Sequence, residues 1–311
     1  MTKISRVFFG FLIFTVSIIT AGCDIGQRCA GPADVLLTTE SKPTAALLSV
    51  LQKLEIHNDG TLASIVEQTQ KSWLRPAGVE RFQMSDAHAS RLEELRPLFK
   101  SLGLVDTVYP THKQYDYALV HGANLIATRG RIALLAKLWL NGVRFNKLVF
   151  LTGARTLDAK QEPVAALEDR TQTILPIRSD WHYDQTMVYK TETDMTNLVY
   201  DQAQLPAELR AVPVLFVDAP QTVAADGTIK RPTTVDTLVT WLKDKPAPVM
   251  CLFISNQPFV GYQDSITRTV LPATFMIETV GFAIPAPYES VSLYLDSLAR
   301  WLYQEQQRRG K

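Results

Sequence analysis

Cysteine is scarce in this chain. Three in 311 residues are too few for a disulfide-dense scaffold or for a tetrahedral zinc site built from cysteine alone. Histidine is scarce as well. The five stand at 57, 88, 112, 121 and 182, with no metal-ligand spacing among them, so the sequence points to no metal site. Neither sign of charge is in excess: 32 basic residues face 31 acidic ones, which argues against a non-specific nucleic-acid binder. No G-x-S-x-G, H-E-x-x-H, Walker A or G-x-G-x-x-G run occurs. A nucleophile-elbow hydrolase, a zincin, a P-loop enzyme and an ordinary dinucleotide dehydrogenase therefore each lack their signature. Internal repeats and low-complexity tracts are absent too. What is present is apolar material, 46% of residues against 20% charged, enough to build the core of one large domain or two ordinary ones.

The amino terminus carries the most local signal. Lys3 and Arg6 precede an uncharged run, Val7 to Thr20, too short for a bilayer-spanning helix of about 20 residues. A basic start, a short apolar stretch and the small residues Ala21 and Gly22 read as a secretory signal over 1–22. The run Ile19-Thr20-Ala21-Gly22-Cys23 resembles a bacterial lipoprotein lipobox, with Thr20 where Leu is more usual. That resemblance implies cleavage before Cys23, diacylglyceryl transfer to its sulfur and further acylation such as palmitate. Two or more chains give a stable membrane anchor. The other reading is an uncleaved anchor helix with an ordinary Cys23. Both place the body in the cell envelope outside the cytoplasm, on the periplasmic side in a Gram-negative cell. There Cys29 and Cys251 stand in an oxidising space, and whether they pair is open.

Past the signal, the pattern predicts a tether over 23–42 and a helical layer over 43–112. The helical stripes are Leu47, Leu51 and Leu54; Leu62, Ile65, Val66, Thr69 and Trp73; and Leu92, Leu95, Phe99 and Leu102, with Gly103 as the closing cap. Pro97 falls inside the last and is a place for a kink. From 113 to 285, continuous apolar runs alternate with helical stretches: strands at Tyr117–His121, Lys147–Thr152, Val212–Val217, Pro248–Ser255 and Met276–Ile284. Such runs indicate a mainly parallel sheet covered on both faces, an α/β, Rossmann-like three-layer domain. A final amphipathic helix, within 286–311, packs on it. Residues 155–190 are polar and aperiodic, a length that points to a functional loop or a subdomain.

In an open parallel sheet, ligands bind beyond the carboxyl ends of the strands. The strand-end residues here are His121-Gly122-Ala123-Asn124, Thr152-Gly153-Ala154-Arg155, Asp218-Ala219-Pro220 and Ser255-Asn256-Gln257. Gly122 and Gly153 allow close backbone approach to an anion, and the helix start that follows adds partial positive charge. Arg129, Arg131 and Arg155 stand nearby. Glycine at such turns also serves steric needs alone. His121 is the catalytic candidate, as a general base or else as a hydrogen-bonded buried histidine. Glu192 and Asp194 open a helix, where they favour the dipole or bind a ribose or a cation. In Trp181-His182-Tyr183 the aromatics either stack on a ligand ring or anchor the loop.

These residues also carry a family resemblance. The run YDYALVHGANLIATRGRIALLAKLWLNGVRFNKLVFLTGAR is similar to the opening half of the YdcF/SanA/ElyC-like envelope family, a domain of unknown function. Gly122, Arg131 and Thr152-Gly153-Ala154 match its motifs, with Ala154 in place of a second glycine. Thr191-Glu192-Thr193-Asp194-Met195 resembles its Ser/Thr-Glu-Ala-x-x-Met element, with the methionine one residue early. Thr233 to Thr237 loosely matches an Asn-Thr-x-x-Asn run, and Ser255-Asn256-Gln257-Pro258-Phe259 lacks the family's histidine. The resemblance spans about Tyr115 to Ile284. It implies a Rossmann-like fold and a role in envelope maintenance. One member has been linked to S-adenosylmethionine, and the family has no settled mechanism.

The expectation is thus an exported, membrane-anchored α/β protein binding a small anionic ligand, nucleotide-like or a phosphorylated envelope precursor. Gly122, Asn124, Arg131, Gly153, Arg155 and Glu192 would hold it, beside His121. No cofactor is specified. The alternative is a non-enzymatic envelope scaffold acting through a protein partner.

Overall fold

The computed structural model describes residues 32–76, 79, 83–184 and 186–310. The signal-like stretch, Cys23 and Cys29 lie outside them. Helices α1 (Ala45–Lys53) and α2 (Leu62–Trp73) start where Thr44 and Thr61 accept the amide hydrogens of Leu47 and Ser64, each relieving an otherwise unpaired first-turn donor. Helix α3 (Leu92–Ser101) runs through Pro97 and gives way at Gly103, whose φ of 69° suits glycine. The apolar stripes of all three turn toward one another and toward the chain's last helix.

The first correction concerns the tether. Leu36 and Leu37 are fully buried in that helical cluster, just after a short 3-10 turn at Pro32–Val35. Thr44 donates its amide hydrogen to Leu36 O at 2.9 Å and its hydroxyl to Val35 O at 2.7 Å. The guanidinium of Arg309, from the far end of the chain, donates to Thr38 O at 3.0 Å. Residues 35–42 are therefore docked, although two adjacent leucines among polar neighbours show no period.

The sheet strands are β1 (Gln114–His121), β2 (Arg144–Gly153), β3 (Val214–Ala219), β6 (Met250–Asn256) and β7 (Met276–Phe282). They pair in parallel in the order β3-β2-β1-β6-β7. A two-residue-per-strand hairpin, β4 (Thr222–Val223) with β5 (Ile229–Lys230), stands apart from the sheet. Alternation along β1 decides which side chain meets which layer. Ala118 and Val120 face the core under α4 (Leu125–Leu140), α6 (Glu192–Gln202) and α7 (Ala207–Arg210). Leu119 faces the opposite core, under α8 (Thr234–Leu242) and α9 (Val260–Val270). Capping boxes open α6 (Thr191 with Asp194) and α8 (Thr233 with Asp236). The architecture is α/β, Rossmann-like and three-layered.

The excursion after β2 holds one short helix, α5 (Val164–Glu168), and is pinned to the first core by Leu167, Leu175 and Trp181. The Trp181 indole also donates to Asp201 Oδ2 at 3.1 Å, and Tyr183 and Tyr189 lie against one another beside it. The aromatics thus anchor the loop, and His182 is exposed.

Helix α10 (Val291–Arg309) joins the two halves, since Tyr294, Leu298, Trp301 and Leu302 belong to the helical-layer core while the helix also packs on α9. At that junction a Cβ on Gly261 would stand 2.4 Å from the Trp301 ring, which is only 1% exposed. Gly261→Ala is expected to cost about 2 kcal/mol in urea unfolding, the usual range for an overpacked contact. A loss within experimental error would mean that α9 and α10 part easily. No described helix is long and apolar enough to cross a membrane.

Candidate functional site

The strand order places a topological switch point between β1 and β6, because the chain leaves β1 toward β2 and β3 and later returns on the other side. A crevice is expected there at the carboxyl ends. Arg131, from the second turn of α4 and 2% exposed, spans it. Its Nη1 donates to His121 O at 2.7 Å and Gly122 O at 2.8 Å, and its Nε and Nη2 donate to Asn256 Oδ1 at 3.0 and 2.7 Å. Asn256 in turn donates to Gln257 O at 2.7 Å. Gln257 Nε2 donates to Gly103 O and Asp106 O at 2.7 and 2.8 Å, tying the sheet's rim to the helical layer. Arg131 therefore staples β1 to β6 and backs the rim from inside.

One strand over, on the α4–α6 face, three distant stretches meet. Gly122 donates its amide hydrogen to Leu151 O at 2.9 Å. A Cβ here would lie 1.9 Å from Glu192 Oε1 and 2.8 Å from Leu151 O, so glycine is what lets the carboxylate lie over the turn. Glu192 begins α6 and accepts from Arg155 Nε through Oε2 at 3.1 Å. Its own amide hydrogen goes to Arg155 O at 2.9 Å. The remaining fork of Arg155 meets Glu162 in a bidentate pair at 2.9 and 2.7 Å and also reaches Ala123 O at 3.3 Å.

Burial pushes the Glu192 carboxyl above its ordinary range, against the pull of Arg155 and then Arg131. Burial works to lower Arg155, but Glu162 and Glu192 outweigh it and hold the guanidinium more firmly protonated than usual. Two carboxylates on one guanidinium make the cluster acidic locally, with the start of α4 as the nearby partial positive charge. Asn124 caps that helix, its side-chain oxygen accepting the Ala127 amide hydrogen at 3.0 Å, and is exposed. Gly153 ends β2 under Pro232, whose Cγ would lie 2.5 Å from a Cβ at that position. Beside the network a groove of about 560 Å³ opens, lined among others by Ala154, Leu157, Glu162, Pro163, Tyr189 and Gln221.

His121 is not part of this group. It shares the α8–α9 face with Leu119, its ring stacked on Phe253 with centroids 5.5 Å apart. The side chain is 2% exposed, and neither ring nitrogen has a hydrogen-bond partner among the described residues. Burial, then Arg131, push it down to about 3, so it is neutral near pH 7. The hydrogen-bonded buried histidine considered from sequence is thus buried but not bonded.

Gly122, Arg155 and Glu192 therefore converge. Arg131 stands behind them, Asn124 and Gly153 lie on the same rim, and His121 faces the opposite way. Glu162 was invisible in sequence, a carboxylate in an aperiodic stretch with no motif around it. Asn256 stood among the strand-end residues without any sign that it would receive Arg131. Among the described residues no group of three or more His, Cys, Asp or Glu side chains could hold a metal ion. The chain matches no family model and no curated protein.

Proposed function

We propose that this chain is an exported, Cys23-anchored α/β protein that binds a small anionic ligand at the carboxyl rim of β1 and β2, in the service of envelope maintenance. The ligand class is nucleotide-like or a phosphorylated envelope precursor, a molecule with both an anion and hydroxyl groups. The observation that carries this reading is the meeting of Gly122, Arg155 and Glu192 beside a groove. Arg155 and the start of α4 supply attraction for the anion. Glu192, an acceptor held at the start of α6, suits a hydroxyl donor. Export and anchoring rest on the amino-terminal run and on the resemblance to the YdcF/SanA/ElyC-like family.

The test is calorimetric titration with AMP and with inorganic phosphate, comparing the wild type with Arg155→Ala. Loss of a charged, bidentate contact is expected to weaken AMP binding by about tenfold to a hundredfold. Equal AMP affinity in the two proteins would remove Arg155 from the site. Retention of the protein in the membrane fraction, lost in Cys23→Ser, checks the anchor.

A further inference from the structure

Arg155 is the cation of the proposed site, and its fork is already engaged. The partner that takes it head-on is Glu162, with Nη1 and Nη2 donating to its two oxygens at 2.9 and 2.7 Å. This parallel two-bond arrangement is the one a guanidinium offers to a phosphate or carboxylate ligand. Glu162 comes from the same short loop, outside helix and strand. The loop is closed on itself by Glu162 N to Asp158 O at 2.7 Å and by Asp158 N to Glu162 Oε2 at 3.0 Å. The residue is 3% exposed, and it lines the groove.

Glu192 is placed differently. It meets Arg155 through a single bond to Nε and is fixed by the first turn of α6. An anion that arrived with both carboxylates in place would put three negative groups around one guanidinium. The group free to leave is the loop carboxylate.

We infer that Glu162 is an internal competitor for the anion seat, a built-in carboxylate that a ligand must displace from Arg155. This rests on the reading of the site given above. Affinity for an anion is then lowered by the fraction of time Glu162 holds the fork, and a change that releases the fork restores it. The same exchange loosens the Asp158–Glu162 loop whenever a ligand binds, so occupancy of the site is reported at the groove wall.

The experiment is titration of the full chain with AMP at pH 7, for wild type, Glu162→Gln and Glu162→Asp, with hydrogen exchange on the wild type. Glutamine keeps the shape and an acceptor for the Asp158 amide but gives up the charge. Glu162→Gln is expected to bind AMP about tenfold more tightly than the wild type, with Glu162→Asp between the two. In the wild type, AMP is expected to speed exchange of the Asp158 amide. If the wild type binds AMP and Glu162→Gln binds no more tightly, Glu162 is a structural partner only and the site reading stands. If Glu162→Gln does not fold, slower Asp158 exchange on AMP binding, or no gain in Glu162→Asp, overturns the proposal. If AMP binds to neither wild type nor Glu162→Gln, the site reading falls and this inference falls with it.

Discussion

Arg131→Ala is expected to destabilise the protein by about 4 kcal/mol in urea unfolding, with the slope of the transition unchanged. The substitution leaves His121 O, Gly122 O and Asn256 Oδ1 without their charged donor at a position only 2% exposed. Each buried acceptor left unpaired costs about 1–3 kcal/mol. Arg131→Lys should recover only part of the loss, since an ammonium cannot reach two carbonyls and an amide oxygen in one plane. A loss below about 1 kcal/mol would mean that water enters the β1–β6 crevice freely and that the staple contributes little. The result bears on function as well. A protein weakened at its switch point loses ligand response through folding, so alanine at 131 does not report on ligand contact as alanine at 155 does.

His121→Phe should move stability the other way. The imidazole stacks on Phe253 and leaves two nitrogens buried without partners among the described residues. Exchanging it for an apolar ring of similar size is expected to stabilise the fold by about 1 kcal/mol at pH 7. The larger effect lies in acid. The folded-state value is pushed down to about 3 by burial and Arg131, from 6.5 in the unfolded chain. Between those values the unfolded chain takes up a proton and the folded chain does not. The contribution of a neutral His121 is therefore complete above pH 6.5 and is lost as pH falls toward 3. The stability gap between His121→Phe and wild type should widen by about 2 kcal/mol from pH 7 to pH 5. Parallel pH curves for the two proteins would show that the ring is hydrogen-bonded or hydrated in solution.

Several features of the fold were readable one residue at a time. The apolar runs that became β1, β2, β6 and β7 are continuous because strands covered on both faces have no reason to alternate. Two of them reach further on the amino side, β1 to Gln114 and β2 to Arg144, where the strand leaves the covered part of the sheet and polar side chains are tolerated. By contrast, β6 starts only at Met250 and β7 ends at Phe282, two residues inside the expected runs. The opening of α6 was legible in Thr191, Glu192 and Asp194, where local capping chemistry operates within four residues. The opening of α9 was less so. It starts at Val260 with no side-chain cap, and the polar residues Gln263, Ser265 and Thr267 are buried within it.

Composition and periodicity were sufficient to determine the layers, the parallel sheet and the rim on which Gly122 and Arg155 stand, because each of these depends on contacts within one element or on its burial as a whole. Which partner each charged group would take was decided only by the tertiary structure. Arg131 met Asn256 across 125 positions and Arg155 met Glu192 across 37, and His121 was turned to the far face by the phase of its strand. Such choices depend on which strands lie side by side and on the register between them, and a linear pattern carries no trace of either.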